Sequence, residues 1–200
     1  MKNPRITTAI AAVLALTTTV AACSSGGDTV PADQASASAA PSADPSLPVA
    51  PAGATPAALN TLTLEGLGSL KLGQPVPARG TWAERGAQTS DQCRVVSSPD
   101  YPGVYAIVEG GTVRRITVAG ASAVKLVEGL GVGSTRANID ADLPGFAEEP
   151  HKYVDGGLYL TAPNAASGDA AVRFELDGDG MVSAMHVGMM PVLGYVEGCA

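Results

Sequence analysis

Two stretches of alternating apolar and polar residues, each interrupted by a glycine turn, constrain the fold of this 200-residue chain more than any other feature. Residues 104–118 alternate on both sides of Gly110-Gly111, and residues 172–187 alternate on both sides of Asp-Gly-Asp-Gly at 177–180. A period of two indicates strands with one buried face. Gly-Gly or Asp-Gly between two such runs indicates a tight turn. The sequence therefore predicts two β-hairpins.

A short segment also occurs twice, once ahead of each hairpin. Residues 64–68 read Leu-Glu-Gly-Leu-Gly, and residues 127–131 read Val-Glu-Gly-Leu-Gly. A helix is predicted after each segment. Over residues 134–143 Ser134 is the expected N-cap and a Pro-Gly pair follows the last apolar position. The counterpart over residues 76–85 is interrupted by a proline and a glycine.

Further strands are predicted at residues 93–97 and 153–161, so that each copy consists of a helix followed by about three strands. The copies span residues 62–120 and 125–190. We therefore predict an α+β fold in which two tandem helix-plus-hairpin repeats form one domain, residues 59–200, with an antiparallel sheet. A segment of this length is a normal size for a domain with one core.

The order of these elements resembles that of the small outer-membrane assembly lipoproteins of the SmpA/OmlA type and of the tandem β-lactamase-inhibitor fold. The matching residues are 70–75 with 110–113, and 130–135 with 178–182. The Tyr-Val-Glu-Gly-Cys at residues 195–199 also resembles the end of other bacterial lipoproteins. The resemblance implies a protein-binding scaffold and not a reaction, and it transfers no individual functional residue.

The first 23 residues have the order of an export signal. Lys2 and Arg5 precede an uncharged, mostly apolar run over residues 6–20, and small residues then precede Cys23. This ending resembles the bacterial lipobox, which implies that residues 1–22 are removed and that Cys23 carries lipid. The apolar run is shorter than the roughly 20 residues of a membrane-spanning helix. An ordinary secretory signal is the open alternative.

Residues 23–58 are nearly all Ala, Ser, Pro, Gly, Thr and Asp after the cysteine, with no aromatic side chain. Such a segment cannot bury enough surface to offset its ordering entropy, so we predict a disordered tether. Its prolines favour an extended conformation. The expected location is the cell envelope, lipid-anchored to a bacterial membrane and facing the periplasm or the exterior.

The charge balance excludes some partners. Removal of residues 1–22 leaves ten basic and nineteen acidic side chains. A protein this acidic is not held on polyanions by counterion release, and anionic head groups repel it. We therefore predict no nucleic-acid partner and membrane attachment only through the lipid on Cys23. The resemblance to envelope lipoproteins implies an envelope protein as the partner.

Two cysteines remain once Cys23 carries lipid. Cys93 and Cys199 form an even pair in an oxidising compartment, so we predict a disulfide between them. Closing so long a loop is worth about 4 to 5 kcal/mol in the chain-entropy model. The alternative is two free thiols.

A group of soft-ligand side chains lies near the end of the second hairpin, at Met185, His186, Met189 and Met190. Thioether and imidazole suit Cu(I), so a copper or other soft-metal binding protein is an alternative function. Alternation gives Met185 a core position, where methionine fills gaps in packing. We favour a core methionine, an exposed His186 and no cofactor.

An envelope enzyme is a third hypothesis with little support. The two histidines, His151 and His186, have no nucleophile motif near them, and a Gly-x-Ser-x-Gly elbow is absent from the sequence. An active site can still assemble from distant positions.

We therefore favour a lipid-anchored, non-catalytic protein-binding module that presents a sheet face or edge to its partner. Tyrosine and arginine are enriched at the centres of protein interfaces. The predicted contact residues are Tyr101, Tyr105, Arg114, Arg115 and Tyr159.

Overall fold

The structure is a computed structural model that describes residues 60–199. The signal peptide, Cys23 and the tether predicted over residues 1–58 lie outside the described residues. The described part contains twelve strands, one α-helix and two short 3-10 helices. The elements are β1 (Thr61–Thr63), β2 (Gly66–Leu67), β3 (Leu70–Lys71), β4 (Ala83–Glu84), β5 (Cys93–Ser97), β6 (Val104–Glu109), β7 (Thr112–Ala119), β8 (Lys125–Leu126), α1 (Arg136–Asp142), β9 (Ala147–Pro150), β10 (Leu158–Thr161), a 3-10 helix (Pro163–Ser167), β11 (Ala171–Leu176), β12 (Val182–Gly188) and a 3-10 helix (Val192–Gly194).

Eight of these strands form one antiparallel sheet in the order β4-β5-β6-β7-β12-β11-β10-β9. The sheet consists of two four-stranded meanders, β4 to β7 and β9 to β12, joined along β7 and β12. The predicted hairpins are β6–β7 and β11–β12. The antiparallel sheet expected from the sequence is thus confirmed.

Each hairpin contains a β-bulge on its returning strand. The register of β7 against β6 skips Arg114, and the register of β12 against β11 skips Ser183. A bulge bends its strand and increases the local twist. The two meanders therefore share a strand irregularity as well as their connectivity.

The predicted α+β class is not supported, because the described residues are mostly β with a single α-helix. The helix expected over residues 76–85 does not form, and that stretch contains only β4. Pro77 disfavours helical backbone at the residue before it, and Gly80 has a φ of 118°, outside the helical region. The structure therefore does not support two helix-plus-hairpin repeats, since a helix precedes only the second meander.

Helix α1 begins one residue later than the sequence predicts, with Thr135 and not Ser134 as its N-cap. The Thr135 hydroxyl accepts from the Asn138 amide, and the Asn138 side chain accepts from the Thr135 amide, which completes a capping box. The Ser134 hydroxyl instead accepts from the amide of Gly131 at 3.0 Å. Ser134 therefore closes the turn that leads into the helix.

One face of the large sheet packs on a small second sheet and on α1. The small sheet has the order β3-β2-β1-β8, with β1 and β8 parallel. Its Leu62 and Leu67, Ile139 of α1, and Phe174 and Met185 of the large sheet are fully buried in one shared core. The other face of the large sheet carries polar side chains.

Candidate functional site

The large-sheet face opposite the core contains a group of side chains that we call the polar layer. The register places His186 beside Thr117 on β7 and Arg173 on β11, and it places Glu175 beside Tyr159 on β10. The members of the polar layer are Tyr105, Arg115, Thr117, His151, Tyr159, Arg173, Glu175 and His186. The predicted exposed His186 is wrong, because its exposed fraction is 3%.

His186 bridges two hydrogen-bond partners across the sheet. Its Nδ1 lies 2.9 Å from the Thr117 hydroxyl, and its Nε2 lies 3.0 Å from a carboxylate oxygen of Glu175. An ionised carboxylate only accepts hydrogen bonds, so the proton of the neutral ring sits on Nε2. Thr117 then donates to Nδ1, and every polar atom of the imidazole has a partner.

His151 approaches the same carboxylate from the other side. Its Nδ1 accepts from the amides of Tyr153 and Val154 at 3.1 and 3.2 Å, which leaves the proton on Nε2. That Nε2 lies 3.5 Å from the second carboxylate oxygen of Glu175. The ring also stacks on Tyr159 with 4.4 Å between centroids. Glu175 therefore has one imidazole at each oxygen.

Burial sets the protonation of this network. It is the main reason that the pKa of His186 is lowered, and the charges of Arg115 and Arg173 lower it further against the opposing hydrogen bond to Glu175. Burial by itself raises the pKa of Glu175, but the hydrogen bonds and electrostatic attraction of His186 and His151 outweigh it, so the net shift is downward. Near neutral pH the network holds a neutral His186 and an ionised Glu175.

Thr117, His186 and Glu175 are connected in the order of a hydroxyl, imidazole and carboxylate triad. A nucleophile has to reach its substrate, but Thr117 is 1% exposed and His186 is 3% exposed. The connection instead satisfies polar groups that are costly to bury unpaired. The hydroxyl and imidazole of this network are therefore closed to a substrate in this structure.

The soft-ligand side chains do not converge on one point. Met185 is fully buried in the core, as predicted, whereas His186 lies on the opposite face of the same strand. Met189 is half-buried and Met190 is exposed. Residues 60–199 also contain no group of three His, Cys, Asp or Glu side chains that could hold a metal ion. Met185 and His186 therefore do not contribute to one metal site within the described residues.

Arg115 joins the polar layer to the C-terminal segment. Its Nη1 donates to the carbonyl oxygens of Val192 and Tyr195, at 3.1 and 2.5 Å. Val192 begins the second 3-10 helix and Tyr195 is its C-cap, so Arg115 contacts both ends of that turn. Burial is the main reason that the pKa of Arg115 is lowered. Arg115 is therefore a fastening for the C-terminal segment and not a surface contact.

The predicted disulfide between Cys93 and Cys199 is present, with 5.5 Å between the Cα atoms. It ties the end of the C-terminal segment to β5, across a sequence separation of 106 residues. Lys152 pairs with Glu197 at 2.9 Å, and the Tyr195 hydroxyl donates to Glu109. A cavity of about 610 Å³ lies between this segment and the sheet.

The five predicted contact residues do not form one exposed surface. Arg115 and Tyr159 are 2% and 3% exposed, so their prediction as surface contacts is wrong. Tyr101 stacks on Trp82 at the edge of the core. Tyr105 is half-buried beside Arg115, and the bulge residue Arg114 is half-buried as well. The pattern of alternation does not reveal that both faces of the central strands are covered.

A second concave region lies where the small sheet meets the end of α1. We call it the apolar groove. Its volume is about 540 Å³, within the range of ligand pockets. Two of its side chains are unusually exposed for their type, Leu64 at 43% and Val127 at 73%. Its apolar lining consists of Leu62, Leu64, Leu126, Val127, Leu143, Pro144, Phe146, Ala162, Pro163 and Val172.

The charged residues that line the groove are all acidic, namely Glu65, Glu128 and Asp142. The Glu65 carboxylate accepts hydrogen bonds from the Thr63 side chain and from its own backbone amide, and both lower its pKa. This carboxylate is therefore ionised near neutral pH. Within residues 60–199, no Lys, Arg or His forms an ion pair with any of the three carboxylates. The groove therefore combines an apolar floor with an uncompensated acidic rim.

The near-repeat in the sequence is a signal for this groove. The near-repeat supplies Leu64-Glu65 in one copy and Val127-Glu128 in the other. Strands β1 and β8, which lead into these two pairs, run parallel and adjacent. The same apolar-acidic pair is thus brought to the groove twice.

No protein-family model, curated protein or solved structure matches this chain. The lipobox and the resemblance to envelope lipoproteins therefore stay predictions. Among the described residues no helix is long and apolar enough to cross a membrane.

Proposed function

We propose that this protein is a lipid-anchored, non-catalytic recognition module of the bacterial cell envelope. Lipid on Cys23 would hold it at the membrane, and the segment before residue 59 would act as a tether. The folded part would bind another envelope protein. The apolar groove is the observation that carries this proposal.

An exposed apolar concavity distinguishes the groove from ordinary protein surface. Contiguous exposed apolar patches mark interaction sites, and Leu64 and Val127 are side chains of the kind that a partner buries. Burying an aliphatic side chain is worth about 1.5 to 3 kcal/mol. Burial of these two side chains would therefore contribute part of the binding free energy of a protein–protein contact.

The polar layer also favours the groove as the recognition site, because the side chains of the polar layer are not available to a partner. Arg115 and Tyr159, which would be strong interface anchors, are already buried within the protein. His186 and Glu175 use their polar atoms on each other and on their neighbours. The surface that remains available for recognition is therefore the groove and not the centre of the sheet.

The test is a proximity pull-down from intact cells that compares the native protein with two variants. The groove variant is Leu64→Ser with Val127→Ser, and both positions are exposed, so its fold should persist. The matched control is Tyr153→Ser, which removes another exposed side chain outside the groove. We expect one or more partners to be lost only from the groove variant.

The contribution of the anchor is measured separately with Cys23→Ser. Loss of the lipid should release the protein from the membrane fraction and weaken capture of a membrane-bound partner. An identical set of partners for the native protein and the groove variant would contradict the proposed recognition site. Unchanged membrane attachment of Cys23→Ser would contradict the proposed anchor.

A further inference from the structure

We infer that the apolar groove binds a protein segment in which apolar side chains are flanked by lysine or arginine. This inference rests on the proposed function, because it names the chemistry of the partner at the same site. The apolar floor would take the aliphatic or aromatic side chains, and the acidic rim would take the flanking cations.

The rim is uncompensated, which is why it favours a cation. Neighbouring charges elsewhere are paired: Arg136, in the first turn of α1, contacts Asp140 at 3.0 Å and Glu148 at 2.6 Å. Asp142, at the end of the same helix, has no such partner within the described residues. It also lies at the helix C-terminus, where the helix dipole adds negative potential.

The nearest lysines do not neutralise the rim. Lys125 lines a neighbouring depression together with Glu128 and Asp142, and Lys71 attracts Glu65 weakly. Neither lysine comes within ion-pairing distance of a rim carboxylate, and neither lines the groove. A cation supplied by a partner would therefore meet three carboxylates whose attraction is not already satisfied.

The tether of this chain does not fit the groove. Residues 24–59 contain no lysine or arginine and carry Asp28, Asp33 and Asp44. Like charges would oppose its docking beside the rim. The same argument disfavours anionic lipid head groups.

A second copy of the chain is also disfavoured. Symmetric dimers pair the same patch on both subunits, so a dimer formed through this groove would bring two acidic rims together. A segment of another protein avoids this repulsion, since it can carry the opposite charge.

The experiment measures fluorescence anisotropy of labelled peptides against the full exported chain carrying Cys23→Ser. The probe is the peptide Gly-Lys-Leu-Phe-Lys-Gly. One control peptide replaces both lysines by glutamine, and another replaces Leu and Phe by serine. We expect the lysine peptide to bind about tenfold more tightly at low salt than the glutamine peptide, because exposed ion pairs are individually weak.

The matched protein variants change charge without changing shape. Glu65→Gln with Glu128→Gln and Asp142→Asn should weaken binding of the lysine peptide about tenfold and remove most of its salt dependence. Neutralising three exposed acids outside the groove, Asp91, Asp155 and Asp179, to asparagine keeps the same net charge as the rim variant. That control should bind like the parent protein.

Each other outcome overturns a stated part of the reasoning. If the lysine and glutamine peptides bind equally well, and Leu64→Ser/Val127→Ser binds neither, the cationic partner is refuted but recognition by the groove is supported. If the parent binds phosphatidylcholine vesicles and the groove variant does not, the groove is a lipid site. If the parent sediments as a dimer and the groove variant does not, the groove binds a second copy. No binding of any peptide would overturn the inference, and an unchanged pull-down for the groove variant would overturn the proposed function as well.

Discussion

Replacement of His186 by glutamine should remove a specific part of the dependence of stability on pH. In the folded protein the pKa of His186 is lowered, chiefly by burial, whereas in the unfolded chain it is near 6.5. As the pH falls below that value, the unfolded chain binds a proton that the folded protein resists. The free energy of unfolding must therefore decrease on acidification.

The expected size follows from this one proton. If His186 stays neutral in the folded protein, its contribution to the free energy of unfolding falls by about 1.3 kcal/mol between pH 7 and pH 5.5. Arg115 and Arg173 oppose a positive charge on the ring, while Glu175 favours one. Together with burial, which has the largest effect, these groups keep the folded pKa below that of the unfolded chain.

The assay is urea denaturation of the parent protein and of His186→Gln across this pH range. His151 and the carboxylates are present in both proteins, and the glutamine amide can still donate to Glu175, so the difference between the two curves reports chiefly on His186. On acidification from pH 7 to pH 5.5, the free energy of unfolding of the parent should fall by about 1.3 kcal/mol more than that of His186→Gln. Parallel curves would refute the reasoning, and so would an NMR titration in which the His186 ring becomes protonated above pH 6.5.

Three further predictions concern the fastening of the polar layer and of the C-terminal segment. Thr117→Val leaves the Nδ1 of His186 without a donor, and it should cost about 1 to 3 kcal/mol in urea denaturation, whereas Thr112→Val at the hairpin turn should cost less. Cys93→Ser with Cys199→Ser should lower the free energy of unfolding by about 4 to 5 kcal/mol, and an unchanged value under oxidising conditions would contradict a stabilising disulfide. Arg115→Met removes the donor to the carbonyls of Val192 and Tyr195, so hydrogen exchange should become faster in residues 192–199 than in β11.

The two hairpins were predictable because their signal is local. Alternation and a glycine turn act within about 15 residues, and they fix both strands of a hairpin. The core position of Met185 follows from the same alternation. The disulfide was predictable for a different reason, since only two cysteines remain once Cys23 is assigned to lipid.

The first helix and the polar layer were not predictable by these rules. The near-repeat suggested a helix over residues 76–85, but local backbone restrictions at Pro77 and Gly80 override similarity to the second copy. Burial of His186 depends on β7 and β12 pairing across most of the domain, and a polar residue facing away from the core reads as exposed. A sequence pattern does not specify which long side chains from other strands cover such a residue.

The arrangement of the two surfaces explains why recognition is assigned to the groove. A buried charged network gains little net stability unless its members are paired, and Glu175 is paired with His186 at one oxygen and with His151 at the other. Opening that face to a partner would expose or break these contacts at a cost. The rim of the groove requires no such exchange, because Glu65, Glu128 and Asp142 enter the complex without leaving a partner. The parallel pairing of β1 and β8 places two of these acids beside two exposed aliphatic side chains, so the near-repeat builds a binding surface from a segment too short to form one alone.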